Sequence, residues 1–137
     1  MSTPDDFNEQ VIEEFRANEG RVGGPFDGAP LLLLHHLGAR SGTERVTPLA
    51  YLADGDRYVI YASKSGAPTH PAWYHNLRAH PDVTIEVGTR TVEVTAREAN
   101  GPERDRLYEA QAAANPAFAA YQEQTERVIP VVILSER

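Results

Sequence analysis

Cysteine is absent from the 137 residues, and with it go disulfides, thiolate catalysis and zinc or iron–sulfur centres held by Cys. Long apolar runs are missing too. The longest, Pro30 to Leu34 (PLLLL), falls far short of the ~18 residues of a membrane span and reads as a buried strand. Positive charge is scarce: 13 Lys and Arg against 20 Asp and Glu leave a formal net charge of −7. A field of that sign repels nucleic acid and anionic lipid, so no nucleic-acid partner is expected, and any anionic ligand needs a local cluster of Arg and Lys. No strand is followed by GxGxxG and no P-loop signature occurs, which leaves nucleotide sites of those two kinds without support. The five His form no metal set. His35 and His36 are strand neighbours that face opposite sides, while His70, His75 and His80 are spaced by five and spread around a helix. GxSxG is lacking, which leaves a Ser-His-Asp hydrolase unsupported. The first ten residues, MSTPDDFNEQ, have neither the basic nor the apolar region of a signal peptide, so a cytoplasmic protein is expected.

What is present reads as one domain over residues 1–137, too small for separate cofactor and substrate domains, so one site serves both. Thr3-Pro4-Asp5-Asp6 resembles a helix start, and Phe7, Val11, Ile12 and Phe15 then share a face, which predicts a helix over 5–18. Its first turns are acidic and lack a basic face, so packing against the rest of the chain is favoured over lying on a bilayer. Strands are predicted over 31–37, 46–53, 58–63, 83–87, 91–96 and 128–134, with DGD and GTR as hairpin turns. Helices are predicted over 71–80, 102–114 and 116–125. Short hairpins with helices inserted late imply an α+β, mainly β fold: a small closed or half-closed barrel of about six antiparallel strands with flanking helices.

Two stretches carry chemistry. GARSGTERVTPL, residues 38–49, follows a strand and sets Arg40, Ser41, Thr43 and Arg45 on a short turn. Guanidinium forks beside hydroxyl and N–H donors suit phosphate or carboxylate oxygens, although a solvated hairpin whose Arg pair with carboxylates has the same composition. In YASKSGAPTHPAWYHNLRAHPDV, residues 61–83, Ser63, Lys64 and Ser65 lie past a strand end, Gly66 and Pro68 bend the chain, and Pro71 opens a helix. Trp73 and Leu77 share one face of that helix while Tyr74 and Asn76 point elsewhere, so one side can pack and another can meet a ligand. For Trp73, core packing and a ligand wall both stand.

Residues 38–88, together with AYQEQTERVIPVVIL at 120–134, resemble the deazaflavin-dependent nitroreductase family of actinobacteria. The resemblance implies an FMN-binding-like split β-barrel, coenzyme F420 (as F420H2) for hydride transfer, and quinone, nitroaromatic or activated-enone acceptors. It places Arg40, Ser41, Arg45, Ser63 and Lys64 on the cofactor's phosphate and poly-glutamate tail, which reconciles an anionic ligand with an acidic protein. Gly66, Ala67, Pro68, Trp73, Tyr74 and Asn76 would form the shell of the deazaflavin ring. Phe118 and Tyr121 would line the substrate pocket, with Tyr121 as proton donor or as a residue packed on the last strand. ANPAFAAYQ keeps Tyr121 but has Asn115 and Phe118 where Tyr can occur, so the resemblance does not extend to nitroimidazole activation. A monomer or homodimer without metal is expected. The alternative from another class is a split-barrel carrier that binds FMN, F420 or haem without turnover.

Overall fold

A computed structural model describes residues 4–22, 30–39, 41–63 and 69–137, with side chains from residue 9 onward. Its elements in chain order are α1 (Pro4–Ala17), β1 (Leu31–Leu37), β2 (Glu44–Ala50), β3 (Leu52–Asp54), β4 (Arg57–Tyr61), α2 (Ala72–Ala79), β5 (Asp82–Val87), β6 (Arg90–Glu98), α3 (Gly101–Ala114), α4 (Ala117–Gln124) and β7 (Val131–Glu136). The seven strands form a single sheet in the order β2-β1-β5-β6-β7-β4-β3, and every described pairing is antiparallel.

Connectivity forces the sheet to curl. β2 and β3 are its opposite edges, yet only Tyr51 separates them in the chain. Laid flat, seven strands at about 4.8 Å spacing would hold the two edges roughly 29 Å apart. Ala50 and Leu52, two Cα steps apart, can be separated by no more than about 7.6 Å. The sheet therefore wraps until its edges meet at Tyr51, giving a barrel split between β2 and β3. The single strand expected over 46–53 is two for this reason: Leu49 and Ala50 pair with β1, whereas Leu52 pairs with Val59 of β4. Pro48 is tolerated because β2 is an edge strand.

Alternation along β1 divides the interior. Leu32 and Leu34 enter the barrel core with Ile60, Ile85, Val94, Leu134 and the α2 side chains Trp73, Tyr74 and Leu77. Leu31 and Leu33 face the other way and pack with Val11, Phe15 and Val22, with Ile12 against them. The apolar face of α1 is thus spent on the sheet, and no described helix is long and apolar enough to cross a membrane. A third cluster, on the other side of β4 and β7, joins Val59, Tyr61, Val131 and Ile133 of those strands to the helical residues Leu107, Tyr108 and Phe118. The last strand starts later than expected, at Val131 rather than 128. Val128 is 68% exposed, and residues 127–129 are held by side chains of α3 and α4 instead of by the sheet ladder.

The end of α1 docks against the β5–β6 hairpin through two glycines. The Gly20 N–H donates to the Phe15 carbonyl at 2.7 Å, closing the helix, and Glu19 and Gly20 both take positive φ (58° and 95°). A Cβ on Gly20 would lie 2.7 Å from the Gly88 Cα, a backbone atom that cannot swing aside. Gly20→Ala is expected to destabilise the fold by about 2 kcal/mol, read as a lower urea midpoint with an unchanged m-value. A midpoint equal to wild type would mean the helix end and hairpin separate freely.

Candidate functional site

The turn after β1 is closed by its own backbone: the Gly38 N–H donates to the Thr43 carbonyl and the Gly42 N–H to the Gly38 carbonyl, both at 2.9 Å, with Gly42 at φ 68°. Ser41 Oγ accepts from the Thr43 N–H at 3.2 Å. Arg45 follows on β2, opposite His36 in the β1–β2 register. It is exposed, and it has no carboxylate partner among the described residues. Arg16, Arg57, Arg90, Arg97, Arg104 and Arg106 all pair with carboxylates. On a protein of net charge −7, a cation left open beside the Ser41 and Thr43 hydroxyls can receive an anion.

A buried polar chain ties this turn to α2. The Ala39 N–H donates to Asn76 Oδ1 at 2.9 Å. Since a backbone N–H can only donate, the amide's oxygen must face Ala39, and Asn76 Nδ2 therefore donates to His36 Nδ1, at 2.9 Å. His36 then carries its proton on Nε2 and donates to Thr47 Oγ1, at 2.9 Å. A second proton on His36 would set N–H against N–H in a site where the residue is 3% exposed. Burial first, and then the charge of Arg45, push the His36 pKa down to about 4.

The sign of the pH effect follows. The unfolded imidazole protonates near its ordinary pKa of about 6.5, while the folded one stays neutral to about 4. The unfolded state therefore binds more protons between those values, and stability is fully present above the upper one and lost as pH falls toward the lower. One such proton contributes a slope of at most about 1.4 kcal/mol per pH unit. His70, whose pKa is also lowered, acts in the same direction. Urea midpoints measured from pH 7 to 4.5 are expected to fall with pH, less steeply in His36→Gln; equal slopes would remove His36 from the account.

Ser63 is buried where the chain leaves β4. Trp73 is 6% exposed and packs in the barrel core, and Tyr74, expected on another face of α2, joins the same cluster. The Tyr74 hydroxyl donates to Glu98 Oε1 at 2.6 Å, and burial, then Glu98, raise its pKa. Phe118 is buried against the rings of Tyr61, Tyr108 and Tyr121. Tyr121 is half-buried, with its ring 5.3 Å from that of Phe118. The hydroxyls of Tyr61 and Tyr108 donate to the carbonyls of Leu107 and Phe118, whereas that of Tyr121 takes no hydrogen bond among the described residues. Arg40, Lys64, Gly66, Ala67 and Pro68 lie outside the described residues.

Sequence reasoning missed His36, His70 and Arg127. Arg127 Nη1 donates to the Ala62 carbonyl and to His70 Nδ1, both at 3.0 Å, and Nη2 donates to the Ser63 carbonyl at 2.8 Å. A signal was available: Arg127 is the only basic residue between Arg106 and Arg137.

The family described as F420H(2)-dependent quinone reductase matches residues 8–136. An F420H(2)-dependent quinone reductase of Mycobacterium tuberculosis is 45% identical over 127 residues, 90% of this chain and 85% of the relative. A solved F420-H2 dependent reductase (FDR-A) superposes with a TM-score of 0.72 at 39% identity, covering 77% of this chain and 94% of that one. A structure described as a domain-swapped dimer gives a TM-score of 0.74 at 34% identity, over 97% of this chain and 100% of the other. The matched span takes in the turn after β1, the end of β4, α2 and the Phe118–Tyr121 helix together, and the chain belongs to the F420H(2)-dependent quinone reductase family.

Proposed function

We propose that this chain catalyses hydride transfer from F420H2 to a quinone, with nitroaromatics and activated enones as further acceptors. Family membership supplies the reaction class. Within the molecule, the reading is carried by Arg45, an open cation beside the hydroxyls of Ser41 and Thr43 on an otherwise acidic protein. That donor set fits a cofactor with a phosphate and a poly-anionic tail, and Ser41, Arg45 and Ser63 would hold it, with Arg40 and Lys64 assigned to the same task by resemblance. Gly66, Ala67, Pro68, Trp73, Tyr74 and Asn76 are assigned to the ring's surroundings on the same ground, Asn76 acting through the Ala39 turn it tethers.

When bound, F420H2 supplies a hydride in a two-electron step, which leaves the protein the work of positioning and proton supply. Phe118, buried behind the Tyr121 ring, keeps its surroundings apolar, and the Tyr121 hydroxyl, unclaimed among the described residues, is available to an acceptor oxygen. Planar apolar acceptors such as menadione-like quinones and coumarin-type enones are accordingly preferred over polar nitroimidazoles.

Titrations with F420, FMN and haemin test the reading, followed by steady-state assays on the three acceptor classes. F420 is expected to bind at least about tenfold tighter than FMN, a difference of about 1.4 kcal/mol, and quinones to give the highest kcat/KM. Equal or reversed affinities would overturn the cofactor assignment, tight haemin binding without turnover would favour a carrier, and a nitroimidazole preference would overturn the pocket reading.

A further inference from the structure

The ladder between β4 and β7 ends at Tyr61 paired with Val131, and one further bond, from the Ala62 N–H to the Pro130 carbonyl at 3.0 Å, follows it. The carbonyls of Ala62 and Ser63 lie beyond that pairing and need donors from elsewhere. Arg127 provides them, and it also donates to His70 Nδ1, which belongs to the residues just before α2. The guanidinium therefore joins the chain on both sides of the 64–68 stretch: Ala62 and Ser63 before it, His70 after it.

Arg127 is itself braced. Its carbonyl accepts from Gln122 Nε2 at 2.8 Å and its N–H donates to Thr125 Oγ1 at 3.3 Å. Gln122 Oε1 in turn accepts from Arg104 Nη2 at 2.6 Å and from the Ile129 N–H at 3.1 Å. A planar fork with several fixed donors can satisfy three acceptors at once, which a Lys ammonium on a flexible stem does less well. A carbonyl that accepts from a guanidinium also polarises its own peptide group, and the N–H of the Ala62 peptide is that of Ser63, which becomes a stronger donor toward an anion.

We propose that Arg127 is a positioning residue for the cofactor site: by holding the Ala62 and Ser63 carbonyls together with the His70 ring, it sets where Ser63 leaves the sheet and how well Ser63 receives the anionic part of F420. This rests on the F420 reading above. It differs from the role given to Arg45, because Arg127 acts through backbone and not by meeting the ligand's charge.

Fluorescence titrations of F420 with wild type, Arg127→Lys, Arg127→Met and Gly20→Ala, each at several salt concentrations, test it. Arg127→Met is expected to raise the Kd about tenfold and Arg127→Lys by less. Gly20→Ala, destabilised at a distance from this site, is expected to keep its Kd within about twofold. The dependence of Kd on salt should be the same in Arg127→Met as in wild type, and with saturating F420H2 the KM for menadione should stay within about twofold. An unchanged Kd in Arg127→Met would overturn the proposal. So would a flattened salt dependence, since that marks a lost direct contact with the anion. If Arg127→Met does not fold, His70→Leu, which removes one of the three acceptors, is expected to raise the Kd about threefold, and an unchanged value there overturns the proposal equally. Wild type failing to bind F420 removes the functional reading and this role together, whereas normal wild-type binding with unaffected variants removes this role alone.

Discussion

Tyr121→Phe is expected to lower kcat by ~10²-fold while leaving the Kd for F420 unchanged within about twofold. The basis is a contrast among the tyrosines around the third cluster. Tyr61 and Tyr108 have their hydroxyls committed to the carbonyls of Leu107 and Phe118, so each is a packing residue whose polar end is satisfied inside the fold. Tyr121 shares the ring contacts, sitting 5.3 Å from Phe118, but its hydroxyl has no such partner among the described residues. Reduction of a quinone by hydride places negative charge on oxygen, and a hydroxyl at hydrogen-bond distance stabilises that charge or protonates it. Removing only the oxygen keeps the ring in place, so the loss should appear in kcat. A Tyr121→Phe enzyme with unchanged kcat and a lowered melting temperature would make Tyr121 a packing residue like its neighbours.

The fold was legible in the sequence where local pattern and tertiary demand coincide. Residues 31–37 show this best: a leucine-rich run bounded by Pro30 and Gly38 forms β1 over Leu31–Leu37 as expected. Local pattern failed where pairing partners change without a change in composition. Nothing in the residues around Tyr51 shows that the strand passes from β1 to β4 there, because the break is imposed by closure of the sheet. The same holds at Ile129, in a stretch apolar enough for a strand yet held there by Arg104 and Gln122. At the candidate site, residue types that hold anions were readable in the 38–49 stretch. The groups that brace the site were not. The sequence shows His36 only as a failed metal ligand, and its service to Asn76 depends on contacts 40 residues apart in the chain. Arg127 stands apart from other basic residues in the sequence, but two of its acceptors are backbone carbonyls, which no residue type announces.

Asn76→Leu is expected to cost about 3 kcal/mol of stability and to weaken F420 binding about tenfold. Leucine keeps the branched outline but deletes both ends of the amide, so His36 Nδ1 loses its donor in a buried place and Ala39 N–H loses its acceptor. Orphaning a buried polar group costs about 1–3 kcal/mol, and the turn that carries Ser41 is released from α2 by the same change. Asn76→Asp separates the two consequences. The introduced carboxylate still accepts from Ala39, so the turn stays tethered, but it cannot donate to His36, and the pair is satisfied only when His36 bears a proton on Nδ1. The folded pKa of His36 should then rise from about 4 to above the unfolded value. Its contribution to stability consequently reverses sign, being present at low pH and lost as pH rises through the new folded pKa. Urea midpoints for wild type and Asn76→Asp should therefore converge between pH 7.5 and 5, with F420 affinity retained at the lower value, while Asn76→Leu stays weak in both measurements throughout. Parallel pH profiles for wild type and Asn76→Asp would show that His36 and Asn76 are not coupled, and full F420 affinity in Asn76→Leu would show that the turn holds its shape without α2.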